Sequence, residues 1–348
     1  MVTIRDVAKA SGFSPTTVSM VLSNSSRAKY IPAKTKATIR SVSKQLGYTP
    51  NVFARSLRAQ RSDTIGVVVF DITDPYCTHV LRGIEDELKN SSFLYLLSDA
   101  QNDSTRFQED LQLLLQRRIE GLILVANALS VDPMLLNAIH APQLPTAIIG
   151  REGKTAFKSS SVTVDNELGG YLALQHLYQL GHRQIAFLRG PETIVDSVHR
   201  WRGIEKLASE AGLSIPEDLI VELSAVPATS SDGFKAIKTL LTHRRTFTAV
   251  LAFDDLTAAG AIRALTEAGR VVPRDCSVIG FDDIDAADFY NPPLTTIRQP
   301  MASMGKQGAS IVLSAIKNLR AKRKAQEVHR MLEPELVIRN STAPPATN

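Results

Sequence analysis

Residues 3–23 read Thr3-Ile4-Arg5-Asp6-Val7-Ala8-Lys9-Ala10-Ser11-Gly12-Phe13-Ser14-Pro15-Thr16-Thr17-Val18-Ser19-Met20-Val21-Leu22-Ser23, and their punctuation decides the head of the fold. Thr3 offers an N-cap with Asp6 three residues on, and Ile4, Val7 and Ala8 line one helical face until Gly12 ends the run. Ser14 then caps a second helix whose first position is Pro15, where a missing N–H costs nothing. Along it Val18, Val21 and Leu22 share an inward face, while Thr16, Met20 and Ser23 fall on another with Thr17 beside them. A loop from Asn24 to Tyr30 leads to Pro32 and a third helix carrying Ile39, Val42 and Leu46, stopped by Gly47. Two helices joined by a four-residue turn containing Gly, then a third, make a helix-turn-helix pattern. A fourth segment, Pro50 to Arg58, suits a helix but is too short to be stable alone in water.

Charge singles out the same region. Residues 1–62 hold eleven Lys/Arg and one acid, Asp6, a net of +10, whereas residues 63–348 carry a net of −5. A small basic module attracts a polyanion and releases its counterions. The chain of 348 residues, 44% hydrophobic and 22% charged, has the make-up of a globular protein of two or three domains. No apolar run approaches the ~18–20 residues that span a bilayer, and Met1–Asp6 lacks the features of a secretory signal. Two cysteines, Cys77 and Cys276, are too few for a disulfide framework or a four-ligand zinc site. A reducing cytoplasm is the expected compartment.

From Thr64 onward apolar strands alternate with amphipathic helices. Strands are predicted at 65–70, 93–98, 121–125, 146–149, 161–164, 184–188, 249–253 and 277–281, and helices at 80–89, 107–117, 169–180, 204–211 and 257–268. Continuous Val/Ile/Leu strands separated by helices indicate parallel sheets covered on both faces. About 270 residues of this pattern exceed one comfortable sheet, so two doubly wound lobes are expected.

Enzyme signatures are missing from this α/β body. No G-x-G-x-x-G follows a predicted strand, Gly153-Lys154-Thr155 lacks the earlier glycine of a P-loop, and neither G-x-S-x-G nor H-E-x-x-H occurs. No cofactor or metal is expected. His182, between Gly181 and Arg183, reads as a surface turn residue rather than a base. Asp254-Asp255 and Asp282-Asp283 each follow a hydrophobic strand, where acids more often bind a polar ligand in a crevice than perform catalysis. A solute-binding module, or an enzyme built on Asp254 or Asp282, is the alternative reading.

The run from Thr3 to Ser19 resembles the N-terminal signature of the LacI/GalR family of bacterial transcription regulators, as do Gly47-Tyr48-Thr49-Pro50-Asn51 and Ala54-Arg55-Ser56-Leu57. The similarity continues through Ile65-Gly66-Val67-Val68, Glu120-Gly121-Leu122-Ile123-Leu124, Val164-Asp165-Asn166, Leu180-Gly181-His182-Arg183, Ser277 to Asp283 and Leu294 to Pro300. It implies a helix-turn-helix head (1–49), a hinge helix and linker (50–62), and a two-lobed periplasmic-binding-protein-like core (63–340). Within that core the N-lobe is expected at about 63–163 and 295–322, and the C-lobe at about 164–293 and 323–340. Residues 341–348 are expected to be a disordered tail. The resemblance further implies a homodimer that binds a palindromic operator in double-stranded DNA and senses a small molecule, a sugar or sugar derivative.

By similarity, Pro15, Thr16 and Met20 contact bases in the major groove and Thr17 a phosphate or base, with Thr3, Ser14 and Asn51 in the DNA-facing set. Thr and Met can read thymine methyls and mixed base edges but lack the bidentate fork that Arg offers guanine. Leu57 corresponds to the hinge leucine that wedges into the minor groove, flanked by Arg55 and Arg58 on phosphates. Such a wedge unstacks a base step for a few kcal/mol, offset by better wrapping of the bent duplex. The matching effector positions are Asp71, Tyr76, Arg151, Arg200, Asp254 and Asp282. Arg200 is expected to present a planar donor fork and the aspartates to accept hydroxyl hydrogens, which suits a polyol. Ala228 or a neighbour stands where many members place an aromatic platform. Arg151 replaces a different polar or aromatic group, which leaves a sugar, a purine and an anion all open.

Overall fold

The computed structural model describes residues 2–23, 25–48, 61–126, 144–151, 159–224, 227–243 and 245–346. The chain divides into two units, Met1–Asp63 and Thr64–Asn348. In the first, α1 (Ile4–Ser11), α2 (Pro15–Leu22) and α3 (Ala33–Gln45) surround a small core of Val7, Ala8, Val18, Val21 and Ile39. Gly12, at φ +73°, turns the chain between α1 and α2 in a conformation that disfavours any side chain with a Cβ. The hinge-helix positions Asn51, Arg55, Leu57 and Arg58 lie outside the described residues.

Among its described residues the second unit holds two six-stranded sheets. The first is parallel throughout, in the order β11-β5-β4-β3-β1-β2, built from β1 (Thr64–Val69), β2 (Leu94–Asp99), β3 (Gly121–Val125), β4 (Thr146–Ile149), β5 (Ser160–Val164) and β11 (His329–Leu332). The second runs β12-β10-β9-β8-β6-β7: β6 (Ile185–Arg189), β7 (Ile220–Glu222), β8 (Ala249–Leu251), β9 (Ser277–Asp282), β10 (Thr295–Arg298) and β12 (Glu335–Val337). Only β12 runs antiparallel to its neighbour among the described strands of that sheet. β1, β3 and β4 are buried almost end to end, the pattern of a sheet covered on both faces.

Among the described residues, six helices flank the two sheets: α4 (Pro75–Leu88), α5 (Ser104–Gln116), α6 (Asn166–Gln179), α7 (Val195–Glu210), α8 (Ser230–Leu240) and α9 (Asp255–Glu267). A seventh, α10 (Met301–Arg320), returns the chain to the first lobe. Three pairs, α4 with α10, α6 with α7 and α8 with α9, touch backbone to backbone through glycines. A Cβ on Gly203 of α7 would meet the Glu167 carbonyl, and one on Gly170 of α6 would meet that of Arg200. Gly83 and Gly305, and Gly233 and Gly260, join the other two pairs in the same reciprocal way.

The lobe boundaries differ from expectation in two places. β10 belongs to the second lobe, paired with β9, whereas its residues were expected in the first. β11 belongs to the first lobe, paired with β5, whereas the second was expected to own it. The chain therefore crosses between lobes near Asp165, near Gln299–Pro300 and at 333–334. Nor are residues 341–343 a loose tail. Ser341 is fully buried and donates from Oγ to the Val278 carbonyl at 2.6 Å. Thr342 meets His176 Nε2 at 2.9 Å, and Ala343 N donates to Ser277 Oγ at 3.0 Å. His182, expected on the surface, is 1% exposed and contacts Thr248 Oγ1, Ser277 Oγ and the Ala343 carbonyl.

Candidate functional site

The head presents α2 through local capping. Thr17 N donates to Ser14 Oγ at 3.1 Å, and the Ser14 and Thr17 hydroxyls lie 2.9 Å apart, so both are spent on the helix start. Val18 and Val21 face the core, which leaves Pro15 and Thr16 exposed and Met20 half-buried on the other side. Thr3 caps α1: its N and Oγ1 donate to Asp6 Oδ2 at 2.8 and 2.7 Å. These hydrogen bonds from Thr3 hold the Asp6 carboxyl below its ordinary range. An exposed helix N-terminus in a basic head is a surface fitted to a nucleic-acid backbone and base edges.

A second site lies between the lobes of the core, a cleft lined from the first lobe by Phe70, Asp74 and Tyr76 and from the second by Asp196, Arg200 and Asp254, among others. Each of these acidic residues stands where a strand ends or a helix starts, as open α/β sheets place their ligand groups. Asp74 N-caps α4, accepting from Tyr76 N at 2.8 Å, and Asp254 N-caps α9, accepting from Thr257 N at 2.7 Å. Asp282 ends β9 at φ +114°, a backbone strain that aims its carboxylate at the cleft wall. There Gln299 Nε2 donates to Asp282 Oδ1 at 2.6 Å.

Arg200 is buried and does not offer the open fork expected of it. Its Nε donates to Asn166 Oδ1 and its Nη1 to the Phe253 carbonyl, both at 2.8 Å, while Nη2 lies 3.7 Å from Asp282. The guanidinium also stacks 3.6 Å from the Phe281 ring centroid. Arg200 thus lines the cleft while tying α7 to α6, to the turn after β8 and to β9.

Burial raises the cleft acids. It lifts Asp74 to about 6, helped by the charges of Asp254 and Asp71. It also lifts Asp196 to about 6 against the pull of Arg200 and Arg151, and raises Asp254 and Asp282 despite Arg200.

Of the six expected effector residues, Tyr76, Arg200, Asp254 and Asp282 line this cleft. Asp71 stands back from it, tying the loop after β1 by accepting from Thr73 N, Thr73 Oγ1 and Asn102 Nδ2. Arg151 follows β4 and reaches the site through its charge on Asp196. Asp74, Asp196 and Gln299 were not anticipated. Asp74 carries a signal in the sequence, an acid directly before Pro75 at a helix start, and Gln299 falls in the run Leu294 to Pro300 that resembles the family; Asp196, in the first turn of α7, carries none.

A model of the bacterial regulatory proteins of the lacI family matches residues 3–51, and one of a periplasmic binding protein-like domain matches residues 174–342. The HTH-type transcriptional repressor PurR of Haemophilus influenzae (strain PittEE) is 34% identical over 344 residues, 98% of either chain. The HTH-type transcriptional regulator DegA of Bacillus subtilis (strain 168) is 36% identical over 343 residues, again 98% of each. The chain belongs to the LacI family. Among solved structures, the lac repressor dimer bound to operator and the anti-inducer ONPF superposes on this LacI-family chain with a TM-score of 0.86 at 28% identity, covering 98% of this chain and 99% of that one. A LacI family regulator from Enterococcus faecium with bound ribose gives 0.70 at 32% identity, over 81% of this chain and all of the other. The protein is a DNA-binding transcriptional regulator and not an enzyme, so the reading of Asp254 or Asp282 as catalytic acids falls.

Proposed function

We propose that this regulator is a cytoplasmic homodimeric repressor of carbohydrate-related genes that grips a palindromic operator and changes its grip when a small molecule fills the cleft. The observation that carries this reading is the cleft itself, whose polar groups come from both lobes and are joined by three chain crossings. A ligand touching both walls has different affinities for open and closed arrangements, which is all that allosteric control requires. The relatives and structural neighbours named for repressors, operator and ribose support the same assignment.

Within it, Pro15, Thr16 and Met20 read bases, Thr3, Ser14, Thr17 and Asn51 face the DNA, and Leu57 with Arg55 and Arg58 engages the minor groove. Tyr76, Arg151, Arg200, Asp254 and Asp282 belong to the effector site, and Asp71 shapes it from behind. The test is selection of randomised duplexes by the full-length protein, followed by operator titration with candidate sugars. An enriched palindrome with two half-sites is expected, together with an effector-dependent change of ~5–150-fold in operator affinity. Thr16→Ala should relax discrimination at one base pair of each half-site by no more than about 1 kcal/mol, the lower end of what a bidentate pair supplies. Selection that enriches no palindrome sinks the reading.

A further inference from the structure

Among the described residues lining the cleft, carboxylates predominate: Asp74, Asp196, Asp254 and Asp282. Arg200 gives Nε to Asn166 and Nη1 to the Phe253 carbonyl, and its Nη2 faces Asp282 at 3.7 Å. Gln299 lines it too and is only 5% exposed; its Nε2 is used by Asp282, and its Oε1 meets no hydrogen-bond donor among the described residues. A buried acceptor left without a partner is costly, and here it points to a donor arriving with the ligand. The charges bearing on Asp74 are carboxylates: Asp254 from the opposite lobe and Asp71 behind it. Even with Arg151 counted beside Arg200, acids outnumber cations around the cleft among the described residues. An anion entering it would meet repulsion from these carboxylates.

We propose that the effector is a polyhydroxylated molecule bearing a protonated amine, an amino sugar or amino polyol, whose ammonium sits between Asp74 and Asp254 and whose hydroxyls donate to Asp196, Asp282 and Gln299 Oε1. The inference rests on reading the cleft as the effector site. The ammonium draws Asp74 of the first lobe toward Asp254 of the second, so the ligand's charge closes the cleft and not merely its shape.

The test is calorimetric titration of the full-length protein at pH 7.5 and low ionic strength with glucosamine, N-acetylglucosamine, glucose and glucose 6-phosphate. Glucosamine is expected to bind at least about tenfold more tightly than glucose, N-acetylglucosamine to lose that margin, and the phosphate to bind most weakly. Asp74→Asn and Asp254→Asn each keep a helix-capping acceptor, so the fold is retained while one charge is removed. Each should erase about tenfold of the glucosamine margin. Tightest binding by the phosphate, a margin untouched by both substitutions, or binding of none of the four compounds overturns the proposal. If glucose or the phosphate nevertheless shifts operator affinity, the regulator reading stands without it. If bound compounds never shift operator affinity, that reading is the one that fails.

Discussion

His182 shows how one residue can fasten a chain terminus. Its Nδ1 lies 2.8 Å from Thr248 Oγ1, and its Nε2 lies 2.9 Å from the Ala343 carbonyl. Burial holds this imidazole, and that of His176 nearby, below the ordinary value of 6.5. The unfolded chain therefore binds more protons than the fold as pH drops past that value. The stability these residues contribute is present above pH 6.5 and lost as pH falls toward their depressed folded values. His182→Gln should cost ~1–3 kcal/mol at pH 7.5, the range for disrupting buried hydrogen bonds. The gap between variant and parent in urea melts should then narrow by pH 5, because the carboxylates common to both cancel; a constant or widening gap refutes the argument. None of this was visible in Gly181-His182-Arg183, which looks like a turn because its partners at 248, 277 and 343 are distant in sequence. Asp196 is hidden for the same reason. Thr16 and Met20 were legible because helical spacing alone separates them from Val18 and Val21.

Elements were readable where one periodicity ran long enough. The strands at 64–69 and 121–125 are Val/Ile/Leu-rich runs interrupted only by Gly66 and led by Thr64 and Gly121, and α1 and α2 announce their own caps. The short strands at 295–298, 329–332 and 335–337 exchange lobes, and three or four residues carry too little pattern to say which sheet receives them. The glycine contacts between helices were equally hidden, since a close approach involves two distant positions. They carry a measurable consequence. A Cβ at Gly203 meets a backbone carbonyl, which no rotamer can move, whereas at Gly308 of α10 it meets the end of the Ile149 side chain. Gly203→Ala should destabilise by about 3 kcal/mol, the upper part of the overpacking range, and Gly308→Ala by about 1 kcal/mol. Equal losses in thermal unfolding would mean that α6 and α7 can slide apart freely and that their glycines are incidental.

For the whole molecule, the deciding feature is the bare edge of the first sheet. β2 ends that sheet, and Leu94 is 72% exposed, with Tyr95, Leu96 and Leu97 also open to solvent. Unpaired apolar edge strands invite association, and proteins that stay monomeric blunt them with charge or proline. None of these four positions is charged or a proline, which favours a second copy as the covering surface in the proposed homodimer. Each large apolar side chain fully removed from water contributes ~1.5–3 kcal/mol, so a few such residues from each protomer can dominate association. Leu94→Asp combined with Leu96→Asp should weaken self-association at least ~100-fold, about 2.7 kcal/mol, in sedimentation equilibrium. Because both residues are already exposed in the isolated protomer, its thermal stability should change little. Operator affinity should fall in parallel, since one protomer grips one half-site, whereas ligand binding in the cleft should persist because both cleft walls belong to the same chain. If the double variant still sediments as a dimer, the interface lies elsewhere and the exposed leucines of β2 serve another contact.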